Sequence, residues 1–300
     1  MELRQLKYFI EVARVEHFSM AAETLHVAQS ALSRQVGLLE KELGVELFVR
    51  EGRNVKLTSI GKLFAEQAKI ALMAINNATQ LIEEYLDPEH GVIHIGFPSS
   101  IASSTLPTII SAFKNQHPEV KFHLRQGSYQ YLTEGIRNRE IDLAFIGPVP
   151  DSDLDLHAEI LFSEPFVALV PDTHSLAGKG SLPLYQLEQE SFVLFPEGFV
   201  LRKIVVDACL GVGFQPFIPF VGEDLDAIKG LVSAGIGVTL LPETTLFENM
   251  PSGTVKLKIS HPEVKRTVGV IIPKNRQLSP SEKLFYEFVL EYFRNIHLWI

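Results

Sequence analysis

Four side chains that could hydrogen-bond with DNA bases lie close together near the N-terminus: Gln29, Ser30, Ser33 and Arg34. Short hydroxyl and amide groups beside one arginine match the donors and acceptors that base edges present in the major groove. Their spacing places them on one side of a helix, near its start. The pattern predicts base recognition, with an ordinary solvent-facing helix surface as the alternative interpretation.

Apolar residues around this cluster predict the elements that would hold it in place. On the same helix they recur at steps of four, three and four: Leu32, Val36, Leu39 and Leu43. This spacing gives one buried stripe opposite the polar cluster. We place Ser19 as the N-cap of a shorter preceding helix and as a further DNA contact, with an elbow at residues 26–29. An earlier helix, with apolar residues from Leu3 to Ala13, would support this helix-turn-helix.

Two β-prone runs follow Gly44, at residues 45–50 and 55–58. The glycine-containing stretch between them is typical of a hairpin turn. Arg50, Arg53 and Lys56 on this hairpin are predicted to contact phosphates or a narrow minor groove, which gives affinity more than sequence choice. A solvated basic turn is the alternative.

Residues 58–86 predict one long helix that starts with Thr58 as its N-cap and stops before Pro88. Apolar residues recur along it at steps of four and three: Phe64, Ala68, Ala71, Ile75, Ala78, Ile82 and Tyr85. This heptad spacing is typical of a coiled-coil stripe and predicts pairing with a second copy of the chain. A helix packed only on its own domain is the alternative.

From residue 92 onward, strand-like and helix-like runs alternate. The predicted strands are 92–97, 120–125, 142–146, 166–170, 192–195, 217–221, 238–241 and 267–272. The predicted helices are 101–116, 129–138, 201–212, 225–234 and 279–295. This alternation predicts a parallel or mixed sheet covered by helices.

Composition and missing motifs narrow the class of protein. A chain of 300 residues with 46% hydrophobic and 21% charged residues is expected to be globular, with two domains. The net charge of −9 argues against a generally basic nucleic-acid binder, although residues 1–60 carry eight basic and eight acidic residues. The single cysteine cannot form an intramolecular disulfide.

We expect a cytoplasmic protein without membrane attachment, because neither a signal peptide nor a spanning apolar run is present. We expect the protein not to be an enzyme and to bind neither a metal nor a cofactor, because no metal-binding, catalytic-nucleophile or nucleotide-binding motif is present.

In order and density, these motifs resemble the LysR-type transcriptional regulators. The residues that carry the resemblance are 21–35, 39–40, 43–48, Arg50, Arg53 and 57–61, and it extends over the whole chain. The resemblance implies an α/β chain with a winged helix-turn-helix DNA-binding domain at 1–58 and a linker (dimerisation) helix and hinge at 59–90. A two-lobed, periplasmic-binding-protein-like (type 2) effector domain would follow at 91–300, with lobe I at 91–161 and 268–300 and lobe II at 162–267. Gly37 departs from the family, whose members usually carry a longer, often basic residue there.

The implied fold suggests where a small effector binds. Ligands of open α/β sheets lie beyond the carboxyl ends of the strands. Six residues after predicted strands are therefore predicted effector contacts: Ser99, Ser100, Ser128, Phe199, Arg202 and Glu223. Each serine alone could instead cap a helix, and Arg202 could pair with Glu223 or Asp224.

Within the family, residues 1–6, 197–202 and 222–235 are similar to the regulators that activate glutamate synthase operons in low-GC Gram-positive bacteria. This similarity implies 2-oxoglutarate as the activating effector and glutamate as its antagonist. The implied partners are double-stranded promoter DNA, RNA polymerase and further copies of the chain, as a dimer and then a tetramer. Three alternatives stay open: a family member that controls another metabolic operon through another small carboxylate, a solute-binding protein, and a DNA-binding repressor whose sensor has lost its ligand. The DNA-reading segment argues against the second.

Overall fold

The computed structural model describes residues 1–51, 54–87, 90–102, 105–150, 152–247 and 249–297. Its internal contacts divide the chain into two units, Met1–Ile82 and Glu83–Ile300. Among the described residues, no helix is both long enough and apolar enough to cross a membrane.

The first unit is built on a three-helix core and a hairpin. Its elements are α1 (Leu3–Val15), α2 (Phe18–Thr24), α3 (Gln29–Leu43), β1 (Phe48–Glu51), β2 (Asn54–Leu57) and α4 (Ser59–Leu86) as far as Ile82. Strands β1 and β2 pair antiparallel, as expected for the hairpin. Phe9, Val12, Leu32 and Leu39 are buried together at the centre, so the helix-turn-helix has its own apolar core.

Three predicted details of this unit are wrong. The N-cap of α2 is His17, whose Nδ1 accepts a hydrogen bond from the Met20 amide, so the helix starts one residue before Ser19. Leu43 is 37% exposed because α3 ends there, at Gly44 in the left-handed conformation. Leu3 is also exposed, and Val12 takes its place in the buried stripe of α1.

Helix α4 begins and ends where the sequence predicts, and its apolar stripe is divided between two roles. The Gly61 amide donates to Thr58 Oγ1 over 2.9 Å, which caps the helix. Near the start, Phe64 and Ala68 pack against the core of the first unit instead of being available to a partner. The rest of the predicted stripe is solvent-exposed: Ala71, Ile75, Ala78, Ile82 and Tyr85.

The second unit contains ten strands and five long helices among its described residues. In chain order they are β3 (Val92–Phe97), α5 (Thr105–Lys114), β4 (Lys121–Gln126), α6 (Tyr129–Arg137), β5 (Leu143–Ile146), β6 (Leu156–Pro171), β7 (Ser181–Leu182), β8 (Ser191–Leu194), α7 (Val200–Gly211), β9 (Phe217–Val221), α8 (Leu225–Ser233), β10 (Thr239–Pro242), β11 (Thr254–Ile259), β12 (Lys265–Pro273) and α9 (Pro280–His297).

Two lobes share one continuous sheet in this unit. Its strand order is β4-β3-β5-β12-β6-β11-β7, and β10 also pairs with β6. We call the part around β3, β4 and β5 lobe I and the part around β8 to β11 lobe II. The first half of β6 pairs with β12 in lobe I, and its second half pairs with β10 and β11 in lobe II. Each lobe has its own buried core, so β6 and β12 join two separately packed bodies.

Candidate functional site

The first candidate site is the exposed face of α3. Gln29, Ser30 and Arg34 are exposed and Ser33 is half-buried, while the opposite side of the helix is packed into the core. Among the described residues, Ser30 and Arg34 have no ion-pair or side-chain hydrogen-bond partner. Ala28 occupies the N-cap position and its side chain cannot cap, so the first amides of α3 are left for another acceptor. The helix therefore presents a row of unused donors on a rigid support.

The other four predicted DNA contacts lie on α2 and on the hairpin, and the structure describes three of them. Ser19 is exposed on α2. Lys56 is exposed on β2, and Arg50 lies on β1 opposite Val55 in the hairpin register. Arg53 lies outside the described residues.

The second candidate site is a cavity of about 490 Å³ between the two lobes. We call it the interlobe cavity. Five of the six predicted effector contacts line it: Ser99, Ser100, Ser128, Phe199 and Glu223. Its volume lies in the range of small-molecule sites, and its walls come from the ends of β3, β4 and β5 on one side and from the start of α7 and the loops before α7 and α8 on the other.

Arg202, the sixth predicted contact, does not line the interlobe cavity. Its Nη1 donates to the Phe195 carbonyl over 3.0 Å, and its Nη2 lies 3.6 Å from the Glu197 carboxylate. Neither Glu223 nor Asp224 pairs with it. The guanidinium is thus used to fix the loop before α7, and the prediction of a direct effector contact is not supported by this geometry.

Arg266 is the cation that sequence reasoning missed. It lines the interlobe cavity but is 4% exposed, and its Nε lies 2.6 Å from Glu164 Oε1. Its Nη2 donates to Ser100 Oγ over 2.8 Å. The Thr244 hydroxyl donates to the second oxygen of Glu164 over 2.5 Å. Its partner Glu164 lies 102 positions away in the chain, so no local sequence pattern indicated the pairing.

This network joins the lobes at the base of the interlobe cavity. Ser100 belongs to a short 3₁₀ helix after β3 in lobe I, and Thr244 belongs to another after β10 in lobe II. Arg266 and Glu164 lie between them on β12 and β6. A ligand that contacts Ser100 or Arg266 therefore touches a bonded chain that reaches both lobes.

Two further predicted effector contacts, Ser128 and Phe199, also make local contacts that stabilise the fold. Ser128 Oγ accepts the Tyr131 amide at 3.2 Å and so caps α6, which agrees with the capping alternative. Asp224, which the sequence suggests only as a partner for Arg202, accepts a hydrogen bond from the Ala227 amide over 2.7 Å and so caps α8. Phe199 is 39% exposed and stacks on Phe195 with ring centroids 5.2 Å apart.

The charges that line the interlobe cavity are mainly negative. Glu197, Glu223 and Asp224 contribute carboxylates, and Arg266 is the one lining cation among the described residues. The carboxylate of Glu164 already neutralises this arginine. The lining thus favours a ligand that carries a positively charged group.

Comparison with known families identifies both units. Residues 3–62 match the bacterial regulatory helix-turn-helix proteins of the lysR family, and residues 86–294 match the LysR substrate binding domain. The chain belongs to the LysR family of transcriptional regulators. It therefore combines a helix-turn-helix DNA-binding unit with a LysR substrate binding domain of mixed α/β structure, for which the periplasmic-binding-protein label is a fold analogy.

Individual relatives extend over the whole chain. The transcriptional dual regulator GltC of Bacillus subtilis strain 168 is 58% identical over 296 residues, which cover 99% of each chain. The HTH-type transcriptional regulator AlsR of the same organism is 35% identical over 81% of each chain. A crystal structure of full-length CbnR with its target DNA superposes with a TM-score of 0.82 at 26% identity, over 97% of this chain and 99% of that one. A full-length cysteine-to-aspartate variant of OxyR from Pseudomonas aeruginosa gives a TM-score of 0.70 at 27% identity, over 98% of this chain and 95% of that one.

Proposed function

We propose that this chain activates a glutamate synthase operon by binding its promoter DNA in the cytoplasm, and that it acts by binding and not by catalysis. The observation that carries the proposal is 58% identity to the transcriptional dual regulator GltC over almost the full length of both chains. The free polar face of α3 supports the DNA-binding part of the proposal.

DNA recognition is divided between two sets of residues. Gln29, Ser30, Ser33 and Arg34 on α3 read base edges in the major groove. Ser19 and the hairpin residues Arg50, Arg53 and Lys56 hold the phosphate backbone and fix the register of α3 on the duplex.

Pairing of two chains supplies two reading helices. The exposed apolar side of α4, with Ile75, Ile82 and Tyr85, packs against the same helix of a second copy. The dimer then reads a pseudo-palindromic site, and two dimers form the tetramer that the family resemblance implies. RNA polymerase contacts the assembled complex at the promoter.

A small carboxylate occupies the interlobe cavity and changes the separation of the lobes. In this proposal 2-oxoglutarate is the activating effector and glutamate its antagonist, with contacts from Ser99, Ser100, Ser128, Phe199 and Glu223. Arg202 supports the loop that carries Phe199 through its bond to the Phe195 carbonyl. The effector drives the change only by its difference in affinity for the two arrangements.

The acidic lining of the interlobe cavity favours a second candidate for the direct ligand. Glu197, Glu223 and Asp224 suit an ammonium group, whereas a dianion meets repulsion there. A regulator of another operon whose effector is an amino acid fits this lining. Calorimetric titration of the protein with 2-oxoglutarate and with glutamate separates the candidates, because only the second predicts tighter binding of the amino acid.

The main experiment is a mobility-shift titration with a promoter fragment from a glutamate synthase operon. It is run with 2-oxoglutarate, with glutamate and with neither. We expect a specific complex whose footprint changes with 2-oxoglutarate and reverts with glutamate. Specific binding without any change would reject the effector, and absence of specific binding would reject this operon as the target.

Substitution of Arg34 tests the reading helix itself. If Arg34 contacts a base bidentately, Arg34→Ala weakens binding by about 1–3 kcal/mol and relaxes preference at one base pair. The matched control is Arg14→Ala, which removes an equal charge from α1, where Arg14 pairs with Glu11. Fluorescence anisotropy on a set of single-base operator variants measures both effects. Uniform weakening across all operators would make Arg34 a phosphate contact.

A further inference from the structure

A second cavity, of about 300 Å³, lies in lobe I away from the interlobe cavity. We call it the arginine cavity. Its lining residues are Ile136, Arg137, Arg139, Asp155, Pro273, Asn275 and Arg276. The two cavities share no lining residue. Arg139 precedes the amino end of β5, whereas Ile146 and Gly147 at the other end of β5 line the interlobe cavity, so the two sites lie at opposite ends of that strand.

Two of the three guanidinium groups are held in place by carboxylates that do not line the arginine cavity. Arg137 Nη2 lies 2.6 Å from Asp153. Arg276 Nη1 lies 2.6 Å from Glu282, and its Nη2 lies 3.1 Å from Asp142. These ion pairs fix the direction of both side chains before any ligand arrives, which lowers the entropic cost of binding.

Arg139 is the third guanidinium and differs from the other two. It follows α6 with φ of +61°, a left-handed position that glycine usually occupies after a helix. Arg139 is exposed, and its guanidinium has no ion-pair or hydrogen-bond partner among the described residues, whereas its backbone amide donates to the Ile136 carbonyl. A residue whose backbone is held in a costly conformation, and whose side chain makes no internal polar contact, is a candidate for contact with a ligand.

The lining of the arginine cavity is positive. Three guanidinium groups face one carboxylate, Asp155, which accepts a hydrogen bond from Asn275 and lies 3.9 Å from Arg137 Nε. The interlobe cavity has the reverse balance, with three carboxylates and one paired arginine. Carboxylates outside the lining already pair with Arg137 and Arg276, so the uncompensated positive charge that a dianion would meet in the arginine cavity is that of Arg139.

We propose that the arginine cavity binds a small dianion, a phosphate or a dicarboxylate, through the guanidinium groups of Arg137, Arg139 and Arg276. Planar guanidinium groups bind both kinds of oxyanion in a two-pronged geometry. The cavity volume admits a ligand of metabolite size. The proposal concerns lobe I alone and stands whichever operon the chain controls.

The test uses the full chain and two variants. Arg139→Gly removes the unpaired guanidinium and places glycine where φ is positive, so the variant is expected to fold at least as well as the parent. Arg125→Ala is the control, because Arg125 is another exposed arginine of lobe I, 4.0 Å from Glu140, outside the lining. Calorimetry is performed with inorganic phosphate, with 2-oxoglutarate and with succinate at low ionic strength.

We expect saturable binding of at least one of these anions by the parent chain and by Arg125→Ala. Arg139→Gly should weaken that binding at least tenfold, the effect of losing one charge-assisted contact. Loss of phosphate binding alone assigns the site to phosphates, and loss of dicarboxylate binding assigns it to organic diacids. The proposal is overturned if the parent chain binds none of the three anions, or if Arg139→Gly and Arg125→Ala bind equally well.

Discussion

Arg266 and Glu164 form a buried ion pair whose two ends are bonded to different lobes. Both side chains are almost inaccessible, at 4% and 2% exposure for the residues. A buried pair of this kind contributes modestly to stability as a pair, but removal of one partner leaves an uncompensated charge in the interior. The pair is therefore expected to matter most when it is broken.

Arg266→Met tests this expectation. The substitution should lower the free energy of unfolding by about 3–5 kcal/mol, because Glu164 loses its countercharge, and Arg266→Met with Glu164→Leu should recover most of the loss. Urea-induced unfolding of the full chain measures both. A single variant within about 0.5 kcal/mol of the parent would show that Glu164 finds another partner or takes up a proton. The folded double variant then reports whether effector binding depends on Arg266.

Glu282 gives the second residue-scale prediction, which concerns pH. Burial, followed by the charge of Asp142, raises the pKa of Glu282 from its ordinary value of 4.5 to about 7. As pH rises between these values the unfolded chain loses its proton first, so the free energy of unfolding falls. The stabilisation is complete below pH 4.5 and is lost as pH rises through 7.

Substitution of Glu282 by glutamine removes this titration. The free energy of unfolding of Glu282→Gln minus that of the parent chain should increase by about 1.4 kcal/mol for each pH unit as the pH rises from 4.5 to 7. Denaturation curves at several pH values measure the difference, with Glu291→Gln on the exposed side of α9 as the control. A constant difference across this range would contradict the raised pKa of Glu282.

At the scale of elements, α4 is the helix whose exposed surface needs a partner. Near its end it carries Ile82 at 64% exposure, Tyr85 at 81% and Leu86 at 82%. A row of large apolar groups on one helix marks an interaction surface. The first half of the same helix is already used by the core of its own unit.

Ile82→Asp should therefore shift the chain from dimer to monomer, because pairing would bury an unpaired carboxylate. We expect at least tenfold weaker self-association in sedimentation velocity, with a parallel loss of operator affinity. Asn76→Asp adds the same charge on another side of the helix and serves as the control. Equal association of the two variants would place the dimer contact elsewhere.

Much of the element order could be predicted from periodicity, and the failures have physical causes. Strand β3 and the termini of α4 match the sequence expectation residue by residue. The first half of β6 was missed because its pattern is inverted: Ile160 is 61% exposed, while Glu164 is buried. Strand β11 was also missed although Val255, Leu257 and Ile259 alternate correctly, so that signal was available.

The site was harder to predict than the elements. Residues that follow strands were found because strand ends are fixed by local sequence, and five of the six line the interlobe cavity. The sequence could not decide whether Arg202 or Arg266 lines the interlobe cavity. Both lie near apolar runs, and only tertiary packing decides which guanidinium reaches a cavity. The pairing of Arg266 with Glu164 joins residues 102 positions apart, beyond any local pattern.

At the scale of the whole molecule, effector binding and DNA binding must change each other's affinity by the same factor. If an effector changes operator affinity by some factor, the operator changes effector affinity by the same factor. Effector titrations with and without saturating operator DNA should therefore give the ratio of dissociation constants found in DNA titrations with and without effector. Unequal ratios would mean that the two experiments observe different assembly states.

The two crossings between the lobes have a mechanical consequence. Strands β6 and β12 stay hydrogen-bonded to each other from Leu156 and Pro273 to Pro165 and Lys265, with Leu161 as an extra residue in the ladder. Such a bulge increases local twist. A hinge made of two hydrogen-bonded strands resists bending within the plane of the sheet more than it resists twisting about the strand axis. Lobe motion by torsion leaves the hinge amides protected from solvent exchange, whereas motion by separation of the strands releases them together.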